Sequence, residues 1–372
     1  MTLGILGGGQ LGRMTAFAAL RMGLDVRFLV PEPADSVACF SGVTVADWTD
    51  PDVLRRFAEG CDAVSVESEW APADLLAKAA PGVPVWPAPE TLRLVRDKAA
   101  QRQRLAEADL PQPAFQVCTT ETAFRESVHA LGLPAVVKRR RGSYDGYGNA
   151  TVRQGTELSD AWQRLADPDG VLVEAFVPFE AELSVIVARR PDGETVVYPV
   201  FYTEQRDHRC HAVVVPSGFS SEIEAEAVRV ALAAVEAVAG VGIVVVEMFA
   251  LSDGRVLVNE LAPRPHNTGH LTIEACDASQ FENHARAVLG LPLGSTSLRT
   301  PAACMVNVLG TTSGPTRLVT LPEALAAPGV AVHLYGKAES RPRRKMGHVT
   351  VLGASPADAR ARAEDAASRL VL

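Results

Sequence analysis

Two apolar stretches, residues 244–249 and 256–260, flank Asp253 and Gly254 and carry a pair of acids with an unusual placement. Asp-Gly is the preferred centre of a two-residue hairpin turn, and counting outward from it sets Glu247 directly across from Glu260. Their Cβ atoms would then lie about 4.5–5.5 Å apart on one face, where like charges repel. A solvent-facing hairpin edge would tolerate such a pair, but Val245 and Val258 are expected on the same face. Two carboxylates in an apolar hairpin suit a hard divalent cation, Mg2+ or Mn2+, which takes oxygen ligands and completes its shell with water and substrate phosphates. A second chemical signal is Lys138, at the end of an apolar run and followed by Arg139, Arg140, Arg141 and a glycine-bearing loop. That loop, Gly142, Ser143, Tyr144, Asp145, Gly146, Tyr147, Gly148 and Asn149, can cover polyphosphate oxygens with backbone N–H groups while the lysine supplies charge. Its spacing is not that of a P-loop.

Three further motifs stand apart in the chain. Gly7, Gly8, Gly9, Gln10, Leu11 and Gly12 form a G-x-G-x-x-G after an apolar run, where glycines permit a tight turn and a helix N-terminus favours an anion. Glu32, after the next strand, could serve as the acid that holds a ribose, so a nicotinamide-dependent oxidoreductase is one reading of this end. Residues 263–270 place Arg264, His266, Asn267, Thr268 and His270 directly after Glu260. The two histidines have the spacing of a zinc helix, but Pro265 and Gly269 argue for a loop, which reads as a cradle for a substrate anion. The run 341–348 gathers Arg341, Arg343, Arg344, Lys345 and His348.

The elements that must position these groups follow from hydropathy patterning. Residues 3–6, 26–30, 63–66 and 83–86 read as buried strands, with helices at 10–22, 52–59 and 72–79 between them, which makes a parallel α/β unit. One polar helix is expected over 90–108, stopping before Pro111 and Pro113. The middle mixes strands at 135–138, 171–174, 183–188 and 195–199 with helices at 121–131 and 222–239. Hairpin signals at Asp192-Gly193 and Asp253-Gly254 make it α+β with antiparallel pairing. After Pro292 a smaller segment holds strands at 302–309, 330–334 and 348–352 and a helix at 356–370.

Composition bounds the function. Hydrophobic residues at 47% and charged residues at 22% describe a folded chain with sizeable cores. A net charge of −8 opposes a long polyanion, so nucleic acid is not an expected partner, while local basic clusters leave room for small anions. No apolar run approaches the ~20 residues of a membrane helix, and a cytoplasmic location is expected. The six scattered cysteines contain no Cys-x-x-Cys and read as buried or partly buried thiols.

In this order the five motifs resemble the N5-carboxyaminoimidazole ribonucleotide synthase family, ATP-grasp ligases of purine biosynthesis. The most specific stretch is 259–270, continued by Thr272, Ile273, Glu274, Ala275, Cys276, Ser279, Gln280, Phe281 and Glu282. The resemblance implies a three-domain ATP-grasp fold: a Rossmann-like domain over 1–100, an ATP-grasp domain over 101–291 and a C-terminal domain over 292–372. It implies ATP-dependent carboxylation of 5-aminoimidazole ribonucleotide with bicarbonate, through carboxyphosphate, in a homodimer. By position it assigns ATP to Lys98, Lys138, the loop Ser143 to Asn149, the hinge Glu174, Ala175, Phe176 and Val177, and to Glu182, Gln205, Asn259 and Glu260. Glu247 and Glu260 become the metal ligands. Arg264, His266 and Lys345 become catalytic, and Gln10, Leu11, Tyr144, Asp145, Asn267 and Thr268 join them around substrate. Closure of the loop 141–148 should exclude water. Ser143, Tyr147, Gln205 and Thr268 depart from the family's usual residues, and a non-catalytic nucleotide-binding protein is the alternative that Tyr147 and Gln205 alone support.

Overall fold

The computed structural model describes residues 1–142, 148–207 and 209–372. Its first segment holds β1 (Thr2–Leu6), α1 (Gln10–Arg21), β2 (Asp25–Val30), β3 (Val43–Val45), α2 (Pro51–Ala58), β4 (Ala63–Val66), α3 (Ala73–Ala79) and β5 (Val85–Trp86). All five strands are parallel, in the order β3-β2-β1-β4-β5, so the strand order reverses between β1 and β4. In such sheets the crevice beyond that reversal is where ligands sit. The single helix expected over 90–108 is two, α4 (Pro89–Arg96) and α5 (Lys98–Glu107). Asp97 separates them with an extended backbone; its carboxylate accepts the N–H groups of Ala99 (3.0 Å) and Ala100 (3.4 Å) and pairs with Arg140 at 2.7 Å. An N-cap of this kind restarts a helix in a new direction, and here it sets Lys98 at the first turn.

Next come β6 (Phe115–Cys118), α6 (Glu121–Leu131), β7 (Ala135–Arg139), β8 (Asn149–Val152), α7 (Leu158–Leu165) and β9 (Val171–Ala175). They form a four-stranded antiparallel sheet, β6-β9-β7-β8. Phe124 and Val128 of α6 and Ala161 and Leu165 of α7 pack on Val137, Val171 and Val173, leaving Lys138 and Glu174 on the other face.

The largest sheet begins with β10 (Ala181–Arg189), β11 (Thr195–Val197), β12 (Phe201–Arg206) and β13 (Arg209–Val215), followed by α8 (Ser221–Ala237), β14 (Gly242–Ala250) and β15 (Val256–Ala262). A one-turn helix (Asn267–Gly269), α9 (Thr272–Ala275) and α10 (Gln280–Val288) lead into β16 (Ala302–Leu309). The chain ends with β17 (Gly314–Pro315), α11 (Leu321–Leu325), β18 (Val330–Leu334), β19 (Glu339–Ser340), β20 (Lys345–Gly353) and α12 (Pro356–Ser368). The sheet runs β15-β14-β10-β12-β13-β16-β20-β18, with β11 on β10, so the last strands of the chain extend the central sheet. Helix α8 buries Ala227, Val230, Ala231 and Ala234 against one face, and Leu271, Ala275 and Cys276 pack on the other. No helix among the described residues is long and apolar enough to cross a membrane. All six cysteines are free; Cys39, expected to be buried or partly buried, is exposed, where its Sγ accepts a bond from Arg13 at 3.2 Å.

Both Asp-Gly hairpins close with three-residue loops rather than two. Leu251 N–H bonds the Arg255 carbonyl at 2.9 Å, and Arg190 N–H bonds that of Glu194 at 2.9 Å. In each, the aspartate accepts the N–H two residues on, at 3.1 Å for Arg255 and 3.2 Å for Glu194. The following glycine takes a left-handed φ, +84° at Gly254 and +96° at Gly193. An Asx turn followed by a left-handed glycine builds the longer loop. The hairpin therefore leaves its turn one residue out of the expected register, pairing Met248 with Val258, and Asn259 is an extra residue that restores Glu247 opposite Glu260. For the same reason Val258 faces α8 with Val246 and Met248, whereas Val245 lies on the opposite face.

Candidate active site

Glu247 and Glu260 meet as the residue types demand, and the charges around them differ. Glu260 Oε2 lies 2.5 Å from Lys98 Nζ. Lys98, Lys138 and His266 overcome burial and hold the Glu260 carboxyl well below its ordinary range. Glu247 is pushed well above that range, first by burial, then by Glu260 and Glu182, with Lys345 and Lys98 opposing. One acid thus carries its charge beside lysines while the other resists ionisation. Among the described residues no three His, Cys, Asp or Glu side chains cluster as metal ligands, so a cation here would rely on these two carboxylates and on substrate oxygens.

Arg102 and Glu174, almost wholly buried, fix the lysines on this side. Arg102 Nε meets Glu174 Oε1 at 2.6 Å, and its other nitrogens take the Val258 and Asn259 carbonyls at 2.8 and 2.6 Å. Lys138 Nζ bridges Glu174 Oε2 (2.8 Å) and Asn259 Oδ1 (3.3 Å). Burial alone would raise the Glu174 carboxyl; Arg102 and Lys138 outweigh it and hold it at about 2. Glu174, expected at the nucleotide, has both its carboxylate oxygens engaged, by Arg102 and by Lys138. The rest of the hinge leaves Ala175 at the end of β9, Phe176 exposed and the Val177 carbonyl bonded to Phe179 N–H at 3.0 Å. Glu182 rises above its ordinary range, mainly through burial, and accepts a bond from Gln205, which tempers the rise. Gly148 and Asn149 return the chain into β8, opposite Lys138. Ser143, Tyr144, Asp145, Gly146 and Tyr147 lie outside the described residues.

On the opposite side the glycine loop at the head of α1 already holds a carboxyl group, that of Glu67, which burial pushes above its ordinary range against the pull of the Gly9, Gly12 and Leu11 N–H groups. Its carboxylate accepts the Gly9 N–H and, at 3.0 Å, the Leu11 N–H. Gly7 needs its φ of +117°, and a Cβ on Gly9 would collide with that carboxylate. The seat a dinucleotide pyrophosphate would take is filled by the chain itself, and Glu32 is exposed, which removes the basis of the oxidoreductase reading. Leu11, expected at substrate, gives its N–H to Glu67 and its side chain to a core with Met14, Phe281 and Tyr335; Gln10 opens the helix.

His266 and Lys345 reach Glu247 from two segments, while the charge of Arg264 meets Glu69, Glu67 and Glu260. Arg264 pairs with Glu69 at 2.8 Å, and this guanidinium outweighs burial to hold Glu69 below its ordinary range. His266 Nδ1 lies 3.7 Å from Glu247 and 3.0 Å from Thr268 Oγ1, which meets Ser184 Oγ at 2.7 Å. Lys345 opens β20, where its charge acts on Glu247. Asn267 and Thr268, expected at substrate, are buried, with their side chains bonded to Asn307 and Ser184. His270 is buried on Gln280 rather than turned toward His266 as a metal partner. Reasoning from sequence missed Arg102, Glu67 and Glu69. For the two glutamates the available signal was their place just beyond β4, at the strand-order reversal; for Arg102 there was none beyond its position one turn after Lys98.

Lysines from a helix start and a small sheet facing paired carboxylates on a larger antiparallel sheet define an ATP-grasp ligase. Family models agree along the chain: a ribonucleotide synthetase preATP-grasp domain over residues 1–96, an ATP-grasp domain over 103–281, and a phosphoribosylaminoimidazole carboxylase C-terminal domain over 303–362. The N5-carboxyaminoimidazole ribonucleotide synthase of Synechococcus elongatus is 39% identical over 99% of this chain and 93% of its own length. The phosphoribosylaminoimidazole carboxylase of Schizosaccharomyces pombe is 41% identical over 95% of this chain, which spans 65% of that longer protein. Among solved structures, the N5-carboxyaminoimidazole synthase of Aspergillus clavatus in complex with ADP and 5-aminoimidazole ribonucleotide superposes with a TM-score of 0.89, at 32% identity over 99% of each chain. The chain belongs to the N5-carboxyaminoimidazole ribonucleotide synthase family.

Proposed function

We propose that this chain carboxylates 5-aminoimidazole ribonucleotide with bicarbonate and ATP, yielding N5-carboxyaminoimidazole ribonucleotide, ADP and phosphate. The observation that carries it is the division of charge across one carboxylate pair. Glu260 faces Lys98 and Lys138, whereas Glu247 faces His266 and Lys345, so a polyphosphate side and a small-anion side share one centre. A bicarbonate oxygen attacks the γ-phosphorus and ADP leaves; the substrate amine then bonds to the carboxyl carbon of carboxyphosphate, phosphate departs and the amine loses a proton. Phosphoryl transfer asks the protein for position and charge neutralisation more than covalent help. Lys98 and Lys138 meet the ATP phosphates, Arg264 and Lys345 hold bicarbonate, and His266 takes the amine proton.

Glu247 and Glu260 would hold Mg2+ or Mn2+, and the raised Glu247 carboxyl fits that role because a divalent cation relieves its repulsion from Glu260 and Glu182. When bound, such a cation neutralises phosphate charge during transfer. The three family-model segments support the division into domains at about residues 100 and 291. A homodimer belongs to the same reading, with Phe17 and Leu20 exposed on α1 as apolar surface for it. Phosphate release from ATP, measured with and without the ribonucleotide and with bicarbonate depleted, tests the reaction. Release is expected to need both; release indifferent to the ribonucleotide rejects the assignment, and no release supports a non-catalytic nucleotide binder.

A further inference from the structure

The reacting groups of the small-anion side come from two segments far apart in the chain, the loop bearing Arg264 and His266 and the strand opened by Lys345. Their separation must be set by whatever joins that loop to the C-terminal strands. In the sheet register, Asn307 of β16 lies opposite His348 of β20, and His348 lies opposite His333 of β18. The three form one row across three adjacent strands. Above them Asn267, His270 and Glu274 follow one another at i, i+3 and i+7 through the one-turn helix and α9, the spacing of a single helix face. Each member of one row meets a member of the other. The amides of Asn267 and Asn307 exchange hydrogen bonds at 2.8 and 2.6 Å. The rings of His270 and His348 have centroids 4.8 Å apart, and His333 Nε2 meets Glu274 Oε1 at 2.7 Å.

We infer that Asn307, His348 and His333 are positioning residues: the row fixes the substrate loop against Lys345 and so couples phosphoryl transfer to carboxylation of the amine. Stability alone does not account for it. Among the described residues His348 Nε2 and Glu274 Oε2 are buried without a hydrogen-bond partner, a cost that an apolar row would avoid. Burial keeps the His270 and His348 rings neutral, far below the ordinary imidazole range, so their tilted ring contact is one of shape without charge repulsion. Two of the three pairs adjoin reacting groups: Asn267, on Asn307 at one end, follows His266, and His348, at the centre, stands three residues after Lys345 on the same strand.

This inference rests on the proposed reaction, in which carboxyphosphate must meet the amine before water reaches it. The experiment measures phosphate released per carboxylated product, together with the KM values for the ribonucleotide and for ATP, in wild type, Glu274→Ala, His333→Ala and Glu274→Gln. The Glu274–His333 pair is chosen because its side chains are 20% and 30% exposed, so the variants should fold. Wild type should release one phosphate per product. The two alanine variants should release about threefold more, with a raised KM for the ribonucleotide and an unchanged KM for ATP. Glu274→Gln, which keeps a hydrogen bond to His333, should return the ratio toward that of wild type. Alanine variants that match wild type in both the ratio and the ribonucleotide KM would overturn the inference, as would a loss shared equally by both substrates and not rescued by Gln. A wild type unstimulated by the ribonucleotide would instead overturn the proposed reaction.

Discussion

Glu174 sits between two buried cations, with one carboxylate oxygen on Arg102 and the other on Lys138. Its carboxylate is the counter-charge that lets Arg102 and Lys138 stay buried, and Lys138 still has its own pKa lowered, first by burial and then by Arg102 and Lys98 despite the pull of Glu174. A carboxyl held at about 2, against an ordinary value of 4.5, contributes about 3 kcal/mol of stability. Because the folded value is the lower one, that contribution is present above pH 4.5 and fades as pH falls toward 2. Wild type should therefore lose thermal stability steeply on acidification below pH 5. Glu174→Gln should be less stable at pH 7 yet have a flatter acid limb, measured as Tm against pH; parallel limbs would count against the pairing. The pairing with Arg102 and Lys138 escaped the sequence reading because nothing local marks three residues so far apart in the chain as partners. Glu247 and Glu260 were legible because a hairpin converts spacing into contact.

Three register shifts interrupt the large sheet among the described residues, and each adjoins a site residue. The extra residue is His211 beside Gln205, Asn259 beside Glu260 and Met346 beside Lys345. Along a regular strand neighbouring side chains point to opposite faces, but both Asn259 and Glu260 reach the Lys98 and Lys138 pair. A bulge re-aims a side chain in this way, which is why bulges gather at active sites. The pairing of Glu247 with Glu260 came out of a two-residue turn that is not there; an extra loop residue and an extra strand residue offset one another. Bulges leave no pattern in composition or periodicity, so this part of the site could not be read in advance. Arg102 braces the bulge at Asn259 with two carbonyl contacts and a buried ion pair. Arg102→Met should cost about 3–5 kcal/mol by stranding Glu174, and should weaken ATP binding as Asn259 and Glu260 lose their place. Arg102→Lys should recover little, since an ammonium cannot fork to three acceptors. Denaturant melts and ATP titrations of the two variants measure this, and a lysine variant equal to wild type would contradict the bracing role.

At the scale of the whole molecule, two of the three segments distinguishable by motif, the central region and the tail, are bound by one sheet, while the first keeps a parallel sheet of its own. The order of motifs along the sequence separates a parallel unit, a central region and a tail, and each expected strand of the tail exists. That the tail completes the central sheet could not be seen, because β13 and β16 pair across a long stretch of intervening chain and such pairing carries no local signal. Its consequence is energetic as well as catalytic. Ala212 and Val214 of β13 share a core with Cys304, Val306, Met346 and Val349 and with Ala359 and Ala363 of α12. A chain cut after residue 299 would bare that apolar face and leave β13 as an unprotected edge, a template for aggregation. It would also lack Lys345 and the row that seats the substrate loop. Fragment 1–299 should therefore self-associate in size-exclusion chromatography and show no ATP-induced rise in Tm, although every residue assigned to the polyphosphate side is present in it. A monomeric fragment that melts cooperatively and gains the same Tm from ATP as the full chain would show that the shared sheet is an accident of packing; aggregation would make the C-terminal strands a condition for the nucleotide site itself.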